Sequence, residues 1–371
     1  PMSKDTSCTY IPDTTLSQEE VGCFYGPNYS TIPQPLKDGK FPQFPHANTM
    51  YDLFECSLEL YPHDPYYGRR VFRNGQWTSE YEWFSRTQFK EMRDSIGSFL
   101  ISKGSKPNQC IGILSYNKLE WVLVQHACYA YGFIPVPIYD TFGHENMAYI
   151  INHAELKYIF AISTKLNDLL SLNCNIIDHI IVIEAEGTSE EDIPINSSQS
   201  ETLKVHKWRE VLETTEHHET RPPSSDTPAF IMYTSGTTGY PKGCIVTHGN
   251  FIASAASYVS FVTNFGSSDS YLSYLPLAHV YECVIHFVAT ITNIKIGFYS
   301  GSISRLIEEI RIFKPTIFCG VPRVFERIMI EMKKAISKKP KYIQNIFNTN
   351  TNKTFFFYIS GYILLAHSMH I

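Results

Sequence analysis

The chain's most chemically suggestive segment is Tyr233 to Gly243, YTSGTTGYPKG, which follows the apolar run Ala229-Phe230-Ile231-Met232. Glycines let a backbone approach an anion closely, hydroxyls and free N–H groups donate to phosphate oxygens, and a lysine adds a compact positive charge. Thr234, Ser235, Thr237, Thr238 and Lys242 supply those donors, while Gly236, Gly239 and Gly243 permit the turn. A polyphosphate is the ligand such a loop expects. The commonest phosphate loop, GxxxxGK[ST], counted from Gly236, requires glycine at position 241 and Ser or Thr at position 243. Pro241 and Gly243 stand there instead, so this is a different phosphate loop.

Two further segments carry candidate chemistry. His279 lies in LPLAHVYE, Leu275 to Glu282, and by residue type alone reads as a core histidine capping a helix. Glu282, one position short of a full turn from His279, either orients it or pairs with an arginine and is left unassigned. Gly320-Val321-Pro322-Arg323 follows an apolar strand, where a ligand crevice belongs in an α/β fold. Arg323 reads equally well as a structural ion-pair partner.

Composition removes several function classes. The 371 residues are 43% hydrophobic with a formal charge of −5, and no dense Lys/Arg run provides a footprint for nucleic acid. The nine cysteines are widely spread without a CxxC pair, which fits a reduced, cytoplasmic compartment. His144-Glu145-Asn146-Met147-Ala148 misses the HExxH zinc pattern at its last position, and His217-His218 read as a solvated loop, so no side-chain metal site is expected. The N-terminus lacks a signal-peptide core. The tail from Phe355 to Ile371 is apolar but interrupted by Ser360-Gly361 and His367, short of the roughly 20 residues of a spanning helix. It reads first as a core segment, with peripheral association at the cytoplasmic face of a membrane as the lesser alternative.

Alternating elements must position these residues. The first 50 residues read as an extended arm, and Val71 to Trp77 as a hairpin turning at Asn74-Gly75. A helix is expected from about Tyr81 to Lys103. Strands at 110–115, 134–139, 157–162 and 180–184 alternate with helices at 119–131, 144–153 and 166–172, and 186–200 reads as a surface loop. After the phosphate loop come helices at 250–263, 279–292, 304–313 and 324–337 and strands at 270–274, 295–298 and 316–319. Such alternation predicts mainly parallel sheets covered on both faces, with ligands at the carboxyl ends of the strands.

Over its eleven residues the phosphate loop resembles that of the AMP-forming acyl-adenylating superfamily. Lys118 to Val122, IPVPIYDTFG (134–143), LPLAHVYE and KPTIFCGVPRVFERI (314–328) resemble stretches of long-chain fatty acyl-CoA synthetases in the same order. The resemblance implies a large N-terminal adenylation domain, layered α/β with two related mainly parallel sheets, spanning 70–345 between an arm at 1–69 and an atypical tail at 346–371. It implies ATP, Mg2+ and CoA as cofactor or substrates and a long-chain fatty acid as the acid, converted through acyl-adenylate to acyl-CoA. Thr234, Ser235, Gly236, Thr237, Thr238, Gly239 and Lys242 would grip the β- and γ-phosphates, His279 would border the acyl carboxylate, and the Gly320 region would line the acyl and adenosine pocket. The family's YGxTE and TGD segments and its C-terminal lid do not occur in these 371 residues. The domain is therefore expected to be incomplete at its C-terminus and inactive alone. The alternative is a short product that binds a nucleotide or acyl chain without turnover.

Overall fold

A computed structural model of the chain describes residues 44, 46–172, 174–188, 203–234, 239–261, 265–342 and 344–345, together with the backbone of short strands at Ile11–Pro12 (β1), Phe24–Tyr25 (β2) and Ile363–Leu365 (β15). β1 and β2 pair antiparallel.

The body begins before residue 70, within the segment expected to be an arm. Helix α1, Met50–Leu60, buries Met50, Leu53 and Phe54, a spacing that places one apolar stripe on the core. Its start is fixed by a capping box. The Asp52 amide donates to Thr49 Oγ1 at 3.1 Å, and the Thr49 amide donates back to Asp52 Oδ2 at 3.0 Å. Strands β3 (Pro65–Arg73) and β4 (Gln76–Ser85) form the expected hairpin, with Asn74 and Gly75 at φ 52° and 74° in its turn. The helix expected from Tyr81 begins only at Arg86: α2 is Arg86–Ser102, because Tyr81, Trp83 and Phe84 stay paired with Arg70, Gly68 and Tyr67. A second capping box, Ser85 with Gln88, makes the switch from strand to helix.

The first sheet is wholly parallel, in the order β6-β5-β7-β8-β9. It comprises β5 (Cys110–Leu114), β6 (Ile134–Pro137), β7 (Tyr158–Ile162), β8 (His179–Ile183) and β9 (Lys204–Lys207). Between them run α3 (Leu119–Tyr131), α4 (His144–His153) and α5 (Leu166–Ser171), and α6 (Trp208–Leu212) follows β9. Apart from β9, the strands are buried nearly throughout, as strands covered on both faces must be. Every residue of α3 is buried. β9 and α6 escape sequence reading because KVHK is short, polar and at the sheet edge.

The chain then forms an antiparallel pair, β10 (Pro228–Thr234) with β11 (Lys242–Thr247), followed by α7 (His248–Phe261). A second sheet collects β12 (Ser270–Ser273), β13 (Lys295–Phe298) and β14 (Ile317–Cys319), with helices α8 (Val280–Thr292), α9 (Leu306–Phe313) and α10 (Pro322–Ile336). Its order is β15-β14-β12-β13-β3-β4, parallel through the middle four strands and antiparallel at both edges. The early hairpin is therefore a structural part of the late sheet. Gly297 faces Gly68 across the β13/β3 junction, where an added Cβ would lie 2.2 Å from the Phe313 ring and 2.7 Å from the Trp83 ring, respectively. Only glycines let both rings lie across that seam. Among the described residues no helix is long and apolar enough to cross a membrane.

The carboxyl ends of the two sheets meet. Asn117, just beyond β5, donates through Nδ2 to Ser273 Oγ (2.9 Å) and the Leu275 carbonyl (2.6 Å), and accepts the Leu277 amide on Oδ1 (2.9 Å). Tyr116 fills the space over Gly301, where a Cβ would stand 2.7 Å from its ring. Beside it, buried Arg70 pairs with buried Glu309 at 2.9 Å, and Glu309 also accepts the Ser300 amide at 3.2 Å. Beneath the β12 end lies a closed polar cluster. Glu282 accepts from Tyr271 (2.6 Å) and Ser273 (2.7 Å), while His286 Nε2 meets Ser273 at 2.9 Å and its Nδ1 meets the Tyr67 hydroxyl at 3.2 Å.

Two stability outcomes follow. Asn117→Ala strands the buried Leu277 amide and should cost roughly 1–3 kcal/mol in urea unfolding; a cost indistinguishable from zero would remove Asn117 as the clamp. The second concerns pH. His248 accepts the Met50 amide on Nδ1 at 3.2 Å, and burial holds its pKa down to about 4. The unfolded chain, with an ordinary value near 6.5, takes up the proton first. His248 therefore contributes about 3 kcal/mol that is fully present above pH 6.5 and is lost as the pH falls from there to about 4. Unfolding midpoints measured between pH 7 and 4 should fall less steeply in His248→Gln than in the parent; parallel profiles would contradict the assignment.

Candidate active site

The phosphate loop is the turn of the β10/β11 hairpin. Thr234 ends β10 and lies opposite Lys242, the first residue of β11. β11 stands where only a helix shortly after the loop is expected, because KGCIVT buries none of its residues and lacks a buried strand's apolar run. Ser235, Gly236, Thr237 and Thr238 lie outside the described residues. Gly239 has φ 127°, a backbone conformation open to glycine and strained for any L side chain. At Gly243 a Cβ would approach Ile231 to 3.0 Å, so close packing on β10 favours glycine there. Thr234 and Lys242 are both exposed, and Lys242 makes no ion pair among the described residues. A cation held at a strand end with no protein counter-ion is available to an anionic ligand.

Both feet of this hairpin are attached to α4. The Tyr233 hydroxyl meets His153 Nδ1 at 2.6 Å. Burial, followed by the neighbouring Tyr149 and Cys110, pushes the Tyr233 phenol up to about 12, so it remains a hydrogen-bond donor at neutral pH. On the other foot, Tyr240 stacks on Tyr149 with ring centres 4.6 Å apart and planes 9° from parallel.

His279 occupies the N-cap of α8, where its Nδ1 accepts the Tyr281 amide at 3.2 Å. The capping role expected from residue type is therefore present, but the residue is exposed rather than buried. An imidazole that accepts on Nδ1 carries its proton on Nε2, and that Nε2–H has no partner among the described residues. The cap orients the ring and leaves its Nε2–H facing away from the capped amide. The turn leading to His279 is held at Leu275 and Leu277 by Asn117.

Glu282 does not join His279. Its carboxylate is fully buried among Tyr271, Ser273 and His286, on the far side of the first turn of α8. Ser273, His286 and Glu282 bear the residue types of a hydrolytic triad without its geometry. Serine and carboxylate both lie on Nε2, at 2.9 and 3.4 Å, and all three side chains are sealed from solvent. Gly320 follows β14 as expected, yet its missing side chain is explained by packing: a Cβ would stand 2.6 Å from the Tyr274 hydroxyl, which donates to the Cys319 carbonyl at 2.7 Å. Arg323 is exposed in the first turn of α10.

Thr234 and Lys242 offer donors at the hairpin and His279 offers Nε2–H at the start of α8, groups that can each bind an anion. Among the described residues no group of three or more His, Cys, Asp or Glu is arranged to hold a metal ion. Asn117, Tyr149 and His153 were not identified from sequence. Asn117 was legible in part as the polar residue between the β5 strand and the α3 helix, whereas Tyr149 and His153 look like ordinary residues of an amphipathic helix.

A family model described as AMP-binding enzyme matches residues 62–351. The peroxisomal long chain acyl-CoA synthetase 7 of Arabidopsis thaliana is 36% identical over 315 residues, 84% of this chain and 44% of that protein. Human long-chain-fatty-acid–CoA ligase 1 is 33% identical over 290 residues, 76% of this chain and 41% of that protein. Among solved structures, the adenylation domain of a carboxylate reductase from Mycobacterium chelonae superimposes with a TM-score of 0.70 at 14% identity, over 83% of this chain and 51% of that one. A long-chain-fatty-acid-CoA ligase from Archaeoglobus fulgidus gives 0.63 at 19% identity, over 80% and 55%. At such identities the structural likeness establishes the layered α/β fold alone. The chain spans about half the length of these relatives or less. From the match over most of its residues, the chain belongs to the AMP-binding enzyme family.

Proposed function

We propose that the protein takes part in ATP-dependent activation of a long-chain fatty acid. In this reaction the acid's carboxylate oxygen attacks the α-phosphorus of ATP, the bond to the β-phosphate bridging oxygen breaks, and pyrophosphate leaves. The CoA sulfur then attacks the acyl carbon of the adenylate, releasing AMP and giving acyl-CoA. The chain provides no covalent nucleophile for either step. Its contribution is to hold two anions together and to stabilise charge as it moves onto pyrophosphate.

The observation that carries this reading is Lys242: exposed, without a counter-ion among the described residues, and opposite Thr234 at the mouth of a glycine-dependent hairpin. His279 Nε2–H is a second donor, suited to the acid's carboxylate or the adenylate. A small apolar cavity of about 30 Å³ lies alongside α8, lined by Tyr258, Phe265, Ile285, Val288, Ile294 and Ile317; it is too small to hold an acyl chain and carries no part of the substrate assignment. The substrate class rests on the relatives named as long-chain synthetases. The Arabidopsis relative is named as peroxisomal, and no helix among the described residues is long and apolar enough to cross a membrane, so the proposal assigns neither compartment nor membrane contact.

Two measurements on the full-length protein test this reading. Lys242→Met should slow acid-dependent ATP–pyrophosphate exchange by about 10²- to 10³-fold. Stability should change little, because an exposed lysine contributes little to it. Exchange close to the parent rate would end the assignment of Lys242. In the second test, activation should improve from acetate through medium to long chains, because each buried CH₂ contributes about 0.8 kcal/mol. Equal turnover of acetate would place the protein in another branch of the family.

A further inference from the structure

Glu145, Tyr149 and His153 stand four residues apart along α4 and so form one stripe down a single face of the helix. Each touches the phosphate hairpin. His153 Nδ1 holds the Tyr233 hydroxyl at 2.6 Å, Tyr149 lies flat on Tyr240 at 4.6 Å, and Glu145 Oε1 accepts from the Tyr240 hydroxyl at 3.4 Å. Tyr149 also stacks on His153, with ring centres 5.2 Å apart, so the three contacts form one continuous column. Tyr233 immediately precedes Thr234 and Tyr240 is two residues before Lys242. The stripe therefore grips both strands of the hairpin beside the residues that would meet phosphate.

Pro241 and Gly239, on either side of residue 240, are constrained by ring and by φ. Tyr240 leaves 54% of its surface in water, and among the described residues its ring stacks on Tyr149 while its hydroxyl donates to Glu145. The inward-facing part of α4 is separate: Met147, Ile150 and Ile151 fill the core of the first sheet. Tyr149, partly buried, packs against the edge of that core rather than within it, so amides of β5 and β7 have to be read beside those of the hairpin.

We propose that Tyr149 is a positioning residue for Lys242 and Thr234, acting through Tyr240 on one foot of the hairpin and through His153 and Tyr233 on the other. This rests on the proposed function only in so far as its consequence is read as ATP use. A ring stack of this kind holds Lys242 where the pyrophosphate develops without the stripe itself touching ligand.

The experiment compares Tyr149→Ala, Tyr149→Phe, Tyr240→Ala and the Tyr149→Ala/Tyr240→Ala double variant in the full-length protein. Backbone amide exchange at residues 240–244 reads the anchoring directly. Tyr149→Ala should accelerate it a fewfold to about tenfold, as expected for loss of one aromatic pair, while Tyr149→Phe retains the parent rate and amides of β5 and β7 do not change. In acid-dependent ATP–pyrophosphate exchange, KM for ATP should rise by a similar factor with KM for the fatty acid unchanged. The double variant should fall short of the sum of the two single effects, because the stack they share is lost only once. If the parent protein shows no such exchange, the proposed function fails and amide exchange alone decides the role of Tyr149. Unchanged amide exchange in Tyr149→Ala, acceleration that also spreads through β5 and β7, failure of Tyr149→Phe to rescue, or strictly additive effects in the double variant would each overturn the proposal.

Discussion

The structure depends on one side chain at the meeting point of two sheets. Asn117 uses both ends of its amide, donating to Ser273 and the Leu275 carbonyl and accepting from the Leu277 amide. Each parallel sheet ends in loops whose backbone groups have no ladder partners, and ligand sites collect there because those groups are unspent. Here a residue just beyond β5 satisfies groups of the loop after β12, so the ends of the two sheets are joined. A sheet-to-sheet contact through apolar packing would leave the Leu275–His279 turn free to shift along the interface. An amide with fixed donor and acceptor directions sets its register.

The polar interior behind that turn is costly and is compensated residue by residue. Arg86 is fully buried, yet its guanidinium donates to Ser57 Oγ, Asn293 Oδ1 and the Thr290 carbonyl and lies 4.4 Å over the Tyr66 ring. Desolvation lowers its pKa, which is the sign that burial exceeds the nearby charge support. Removing any one partner would leave a buried donor unmatched. The network ties α1, α2, β3 and α8 together, while Tyr67 continues it to His286, Ser273 and so to Asn117. Rigid secondary structure thereby reaches the turn through hydrogen bonds with definite geometry.

Most α/β elements were legible because their signals are local. Leu119–Tyr131 and His144–His153 are bounded in the structure where the apolar period starts and stops, and Asn74-Gly75 marks its own turn. What could not be read was long-range. Whether Met50–Leu60 and Pro65–Arg73 belong to an arm or to the core depends on β3 pairing with β13 some two hundred residues later, and no local pattern records that pairing. The site was legible in the same uneven way. The glycines and lysine of the hairpin announce phosphate chemistry through their types, whereas Asn117 and Tyr149 acquire meaning only from the residues brought against them. At Gly320, expected from the resemblance to lie in the region lining the pocket, the absent side chain also makes room for Tyr274 and Phe325, a packing requirement that residue type alone does not record.

His279 illustrates why a residue's structural role and its chemical role need not compete. Capping takes the Nδ1 lone pair and nothing else, since the Tyr281 amide needs one acceptor. That single hydrogen bond selects the tautomer with the proton on Nε2 and fixes the ring's plane relative to α8, whose N-terminal amides add their own positive end to the same point. A histidine free of the cap would distribute its proton between two nitrogens and its ring among several rotamers, and would have to be ordered by the substrate at a cost in binding. The cap performs that ordering during folding. The donor that remains is thereby given a fixed direction, as the backbone of Lys242 is fixed by its pairing with Thr234, and both are set in place by contacts within the protein.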